Sequence, residues 1–437
     1  MTEHSITEKD NMNNDEMSTL TRRDFCKIGA AASVSTLLGS SLLWPGCSQV
    51  SGDEIVIGSQ ADLTGGISSW GYWLDKAGRV AVDQINKEGG INGKKVRYVV
   101  EDTETNPTVG QRVFRKLVLE SNAAVVLGSV HSGVMMATVP FAKELKRPYF
   151  PIAMAYEATS EKGNRYTFRI NSQVREQEQA AAAWMVQNVG KKWTMVVSDY
   201  AWGWSHDDWF SKGVQEAGGT VLDHVHVPQG TKDFFSYLGK IPKDTEGVYF
   251  IFFGADTIGF LQQLHEFGYK GQKFTVICTL EAIDLEKMGD AVEGMHLVEY
   301  MPRYLSEFDT PHNRAFRKML GVDDDGHEVG NPSRIVAGSH YWATYETLFL
   351  VKMAMEKCNW KDVNDTPKLI EALESIGRVS EGPHFPQGDV HFRAEDHQGF
   401  HRHYMSKIEQ GKLKVKFQIP IEAVTYPPPI DFRTQGL

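Results

Sequence analysis

Cysteine is scarce in this chain: its 437 residues include four, at positions 26, 47, 278 and 358. They are too few and too scattered for a thiolate cluster that would hold zinc or an iron–sulfur centre. Basic residues do not dominate either. There are 46 Lys and Arg against 56 Asp and Glu, a formal net charge of -10, so nucleic acid is not an expected partner. Hydrophobic runs are short. The longest, Ile28–Trp44, is rich in Ala, Ser and Gly and falls below the roughly 20 strongly apolar residues that a spanning helix needs. No glycine-rich phosphate cradle follows the first strand, because Asp62-Leu63-Thr64-Gly65-Gly66 lacks the dinucleotide-binding spacing. There is no Gly-x-Ser-x-Gly elbow and no repeat of 20–50 residues. The one histidine group, His391, His397, His401 and His403, surrounds Gly399, which argues against a helix that would align two of them. Asp389–Met405 reads as an exposed β-hairpin arm with structural histidines. No metal, no cofactor and no enzymatic activity are therefore expected.

What the chain does have begins with an address. Thr21-Arg22-Arg23-Asp24-Phe25-Cys26-Lys27 runs directly into the apolar stretch, the pattern of a twin-arginine export signal. Leu43-Trp44-Pro45-Gly46-Cys47 resembles the cleavage box of bacterial lipoproteins, although Trp44 and Pro45 depart from it. Residues 1–47 are read as the signal, Cys47 as a candidate lipidation site and membrane anchor, and the periplasm as the destination. Residues 1–47 carry four Lys or Arg and six Asp or Glu, so the remainder stays acidic at about -8. The roughly 390 residues that remain exceed one hydrophobic core and suit two domains. In that oxidising compartment Cys278 and Cys358 are either a disulfide or two buried free thiols.

The exported part alternates strand and helix. Glu54–Ser59, Lys95–Glu101 and Ala123–Gly128 are short β-branched runs, separated by helical spacing over Trp73–Asn86 and Val109–Ser121. After Arg169 the pattern restarts: a helix at Glu178–Asn188, a strand at Trp193–Ser198, a helix at Trp209–Ala217, and strands at Thr220–His226, Gly247–Phe253 and Phe274–Cys278. Gly338–Cys358 is the longest expected helix. This order predicts an α/β fold with two doubly wound lobes on parallel sheets.

Ordered motifs run through nearly all of this region: Asp62-Leu63-Thr64-Gly65 with Trp70-Gly71, Val82-Asp83-Gln84-Ile85-Asn86 with Gly89–Gly93, Asp102 before Asn106-Pro107, Gly128-Ser129, Gly203, Lys232-Asp233-Phe234, Gly289–Gly294 and Asp396-His397-Gln398. With them the chain resembles the periplasmic solute-binding proteins of ABC importers, in the branched-chain amino-acid, amide and urea group. The resemblance implies two lobes, 53–170 with 304–376 and 171–303 with 377–437, joined by a three-strand hinge. It implies crossings near Arg169–Ser172, Tyr300–Tyr304 and Ser375–Pro383.

In an open parallel sheet, ligands bind beyond the carboxyl ends of the strands, where helix N-termini present unpaired N–H groups. The candidates at those ends are Ser69 and Trp70 after the first strand, Ser129, His131 and Ser132 after the third, and Ala153, Ala155 and Tyr156 after the fourth. From the second lobe come Tyr200 and Trp202, Ala255, and Glu281. Ser132 either touches ligand or caps its helix; Glu281 either meets a ligand ammonium or is an exposed loop carboxylate. Relatives that bind α-amino acids commonly place a hydroxyl where Ala153 and Ala155 stand, so the resemblance with this departure implies room for a larger apolar group. The aromatic residues favour an aromatic or bulky carboxylate or amide, with an amino acid still open.

The expected function is capture of a small organic solute by hinge closure and its delivery to a permease and ATPase in the membrane. A ligand-sensing receptor subunit of the same fold, or an exported enzyme, are the alternatives.

Overall fold

A computed structural model of the chain describes residues 54–304 and 306–437. The export segment 1–47 and Cys47 lie outside the described residues.

The first sheet is parallel throughout. Strand β1 (Glu54–Ala61) is buried at every residue after Glu54, and β3 (Val125–Gly128) along its whole length, as strands covered by helices on both faces must be. With β2 (Lys95–Asp102) and β4 (Tyr149–Phe150) they lie in the order β2-β1-β3-β4. Helix α1 (Ser68–Lys87) turns Trp70, Trp73, Leu74, Ala77, Ala81 and Ile85 inward at helical spacing. Helix α2 (Pro107–Leu119) begins with proline at its first position, and the side chain of Asn106 caps it by accepting from the N–H groups of Thr108 and Val109. Helix α3 (Ser132–Glu144) follows β3.

The second sheet repeats the plan and extends it. Between α4 (Val174–Asn188) and α5 (Ala201–Glu216) lies β5 (Lys192–Ser198); then come β6 (Thr220–Val227), β7 (Gly247–Ile251), α6 (Gly254–Glu266), β8 (Gln272–Val276) and β9 (His296–Glu299). Beyond α7 (Pro311–Leu320), the hairpin β10 (His327–Glu328) and β11 (Asn331–Ile335), α8 (Gly338–Lys357) and α9 (Thr366–Glu374), the chain forms a small antiparallel sheet of β12 (Gly377–Val379), β13 (Val390–Phe392) and β14 (Gly399–Phe400). Strands β15 (His403–Glu409) and β16 (Lys412–Ile419) then complete a seven-stranded sheet in the order β16-β15-β9-β8-β7-β5-β6. Its β6-to-β9 part is parallel, and β15 and β16 are antiparallel.

Two helices begin earlier than their apolar spacing predicts, α1 at Ser68 and α5 at Ala201, and a glycine explains each. A Cβ on Gly71 would lie 2.0 Å from the Asp62 carbonyl oxygen, and one on Gly203 would lie 1.9 Å from that of Ser198. Both glycines let the first turn of a helix sit directly on the end of the preceding strand. Helices α1 and α8 share the greatest length, 20 residues each.

The chain runs between the two sheets along Ile170–Gln173, Tyr300–Tyr304 and Phe400–His403. Sheet β12-β13-β14 stays beside the first sheet, because Gln398 bridges to Arg169, which follows the Thr167 that bridges to Tyr149 of β4. The three passages are tied by buried polar groups. His401 Nε2 lies 2.6 Å from the Ile170 carbonyl, His403 Nε2 lies 2.8 Å from Ser172 Oγ, and Gln387 Nε2 donates to the carbonyls of Tyr300 and Arg402. The histidine arm is thus not exposed: His397, His401 and His403 are fully buried. Backbone carbonyls and hydroxyls left unpaired where strands cross supply the reason, since buried polar groups require partners. His397 stacks on Phe168 at 4.0 Å. Cys278 and Cys358 are both free thiols.

Candidate functional site

Both parallel sheets reverse their strand order once, between β1 and β3 in the first and between β5 and β7 in the second. Such a reversal opens a crevice beyond the strand ends, because the two following helices leave on opposite faces of the sheet. Here the two crevices face one another and share one cavity of about 30 Å³, well below the 300–1,000 Å³ usual for small-molecule sites. From the first-sheet side come Ile67, Trp70, Val130, His131, Ser132, Met154 and His340; from the second come Tyr200, Trp202, Phe253 and Cys278. Among the described residues, no Asp, Glu, Lys or Arg lines it.

The polar part is built on the start of α3. His131 is the helix cap, and its Nδ1 accepts from the N–H of Val134 at 3.3 Å. Its remaining ring proton therefore sits on Nε2. Burial pushes the imidazole down to about 4, so the ring is neutral at pH 7 and Nε2–H is a donor. Ser132 Oγ accepts from the Ala155 N–H at 3.3 Å, which leaves its own proton available. The His131 ring stacks on Tyr200 with centroids 5.0 Å apart and planes 14° from parallel, and Phe253 meets both rings edge-on. Burial holds the Tyr200 hydroxyl well above its ordinary range, so it too remains protonated.

Asp62 positions this segment. Fully buried at the end of β1, its carboxylate accepts from Ser129 Oγ at 2.6 Å, from the Val130 N–H at 2.8 Å and from Thr103 Oγ1. Burial raises the carboxyl against those hydrogen bonds. Ser129 is therefore occupied in fixing the loop and does not line the cavity.

Glu281 is neither exposed nor free. It is 1% exposed and accepts from Trp70 Nε1 at 3.1 Å, from Ser339 Oγ at 2.6 Å and from the Ser339 N–H, while His340 Nδ1 lies 3.4 Å from Oε2. The exposed-loop alternative fails because the start of α8 folds over this carboxylate.

Of the other residues singled out in the sequence, Trp70, His131, Ser132, Tyr200 and Trp202 stand at the cavity wall. Ser69 and Ala255 are exposed on the outer side of their helices' first turns. Ala153 and Ala155 are buried behind the wall, where their carbonyls accept from Arg169 Nη1 at 3.2 and 2.7 Å. Tyr156 points away from the cavity and packs edge-on against Trp209 at 4.8 Å and near Tyr426. Phe253, Cys278 and His340 carried no distinguishing pattern, although Phe253 and Cys278 stand within three residues of Ala255 and Glu281. Burial raises the Cys278 thiol well above its usual range, so it contributes an apolar, protonated sulfur.

Residues 54–412 match the family model described as periplasmic binding protein. The Leu/Ile/Val-binding protein homolog 6 of Brucella melitensis is 24% identical over 344 residues, covering 76% of this chain and 83% of that relative. A solute-binding protein of an ABC transporter from R. palustris, solved in complex with benzoate, has a TM-score of 0.72 at 20% identity, over 84% of this chain and 97% of that one. A leucine-binding protein, LivK, of Thermotoga maritima has a TM-score of 0.70 at 18% identity, over 84% and 99%. At these identities the two structures establish a shared fold.

Proposed function

The chain belongs to the periplasmic binding protein family, and from that premise we propose that it is the extracytoplasmic solute-binding component of an ABC importer. It captures a small organic solute between its lobes and delivers it to a membrane permease driven by ATPase subunits. The observation that carries this reading is the cavity at both strand-order reversals, walled from each sheet by aromatic rings. A ligand there touches both lobes only when they are closed, so it shifts the protein toward the closed form by its differential affinity. The passages at Ile170–Gln173, Tyr300–Tyr304 and Phe400–His403 serve as the hinge.

The ligand is an aromatic or bulky carboxylate or amide, or an amino acid, with Trp70, His131, Ser132, Tyr200 and Trp202 as its contacts. The benzoate complex of one structural neighbour and the leucine-binding name of another support these two classes. Export runs through the twin-arginine signal at Arg22-Arg23 into the periplasm, with Cys47 as the lipidation site. The protein performs no catalysis. A thermal-shift screen with amino acids, amides, ureas and aromatic carboxylates tests the reading. A ligand at 100 times its dissociation constant adds about 2.7 kcal/mol of stability, and a screen in which no such solute shifts the melting temperature contradicts it.

A further inference from the structure

An α-amino acid brings two charges into a site, and each needs its own partner once water is excluded. The described residues that line the cavity include no charged group, and their N–H groups serve only the carboxylate. Its donors are His131 Nε2–H, Ser132 Oγ–H and Tyr200 O–H. Trp202 adds a fourth: it is 6% exposed, lines the cavity, and its Nε1–H has no protein partner. Two of them, on His131 and Ser132, stand at the start of α3, whose positive dipole end favours an anion or a carbonyl oxygen. No carboxylate stands among the lining residues. The acids behind the wall are engaged: Asp62 accepts from Ser129, Val130 and Thr103, and Glu281 is enclosed by Trp70, Ser339 and His340, with each of its oxygens already accepting.

From this lining, rich in N–H donors and without a carboxylate, we infer that the solute is a carboxylate or amide that carries no ammonium group, so that α-amino acids are excluded from the cavity. The inference rests on the solute-binding reading and narrows its ligand class. Discrimination arises from the ligand's own charge: the carboxylate exchanges water for N–H and O–H donors, whereas an ammonium would lose its hydration to hydroxyl oxygens, the His340 ring and aromatic faces, with no carboxylate to balance its charge. Leaving a charged group unpaired in such a site costs far more than a missing methylene, which makes the rejection large and nearly independent of side-chain shape.

Two pairs of compounds isolate the ammonium from shape: 4-methylpentanoate against leucine, and 3-phenylpropanoate against phenylalanine. Calorimetric titration of the full exported chain should show the ammonium-free member of at least one pair binding, and its amino-acid partner at least 100-fold weaker. Trp202→Phe keeps the ring and removes only the N–H, and should weaken the acid about tenfold while leaving the melting temperature of the free protein within a few degrees. Leucine or phenylalanine binding as tightly as its partner acid overturns the inference and leaves the solute-binding reading standing. No heat from any of the four overturns the inference, and if the wider thermal-shift screen is also silent the solute-binding reading falls with it.

Discussion

His131 and Tyr200 lie ring upon ring, 5.0 Å between centroids and 14° from parallel, one from the loop after β3 and the other from the loop after β5. The contact joins the two sheets at the cavity wall, so it exists only while the lobes are together. An aromatic pair of this kind contributes about 0.5–1.5 kcal/mol beyond its area burial.

Tyr200→Ala should therefore weaken solute binding by about tenfold, chiefly by speeding release, because the stack adds to the closed form and not to encounter. Stopped-flow fluorescence reads the two rates separately. An unchanged release rate would remove the stack from the closing mechanism.

Glu281 acts as a clasp between the first turn of α1 and the start of α8. Glu281→Ala leaves the Trp70 indole N–H and the Ser339 N–H buried without partners, at a cost of about 1–3 kcal/mol of stability. Urea denaturation measures it, and a loss below about 0.5 kcal/mol would contradict the clasp.

His403 gives the hinge a pH signature. Its Nδ1–H donates to the His401 carbonyl at 3.0 Å and its Nε2 accepts from Ser172, an arrangement for the neutral ring, and burial pushes it down to about 4. The unfolded histidine titrates near 6.5. Its contribution is thus fully present above that value and is lost as pH falls from 6.5 toward 4, since the unfolded chain binds the proton first. At pH 5 the loss is on the order of 2 kcal/mol. Buried acids such as Glu346, raised well above their usual range by desolvation, oppose it, so the measurement is a difference. Between pH 7 and pH 5 wild type should lose about 2 kcal/mol more than His403→Gln. Parallel pH profiles would show that burial does not depress the His403 ring.

Replacing Arg22 and Arg23 by lysine should leave the protein in the cytoplasm. Cell fractionation decides it, and normal periplasmic accumulation of the double variant would assign export to the general secretory route.

The alternation of strands and helices was legible because runs such as β1, β3 and β7 are continuously apolar and buried, and helices such as α1 and α2 show an inward stripe. The starts of α1 and α5 were not. Gly71 and Gly203 let a helix approach the end of the preceding strand, a close approach that apolar spacing does not register. At the site, position along the chain was readable and direction was not. Trp70, His131, Ser132, Tyr200 and Trp202 stand at the starts of helices that follow strands and at the cavity wall. Tyr156 also follows a strand and turns away to Trp209, and Phe253 reaches the cavity where Ala255, two residues on, faces solvent. His340 gave no signal, since it opens a helix that is buried nearly all round and that arrives from a distant part of the sequence.

Calorimetry of the wild-type protein and Trp70→Ala with an aromatic carboxylate tests the central claim most directly. The cavity reading predicts binding to the wild type and an affinity at least about tenfold lower in the variant, from the lost aromatic contact and buried area together. Tight binding of leucine or valine with none of aromatic carboxylates, or an affinity that Trp70→Ala leaves unaltered, would contradict it.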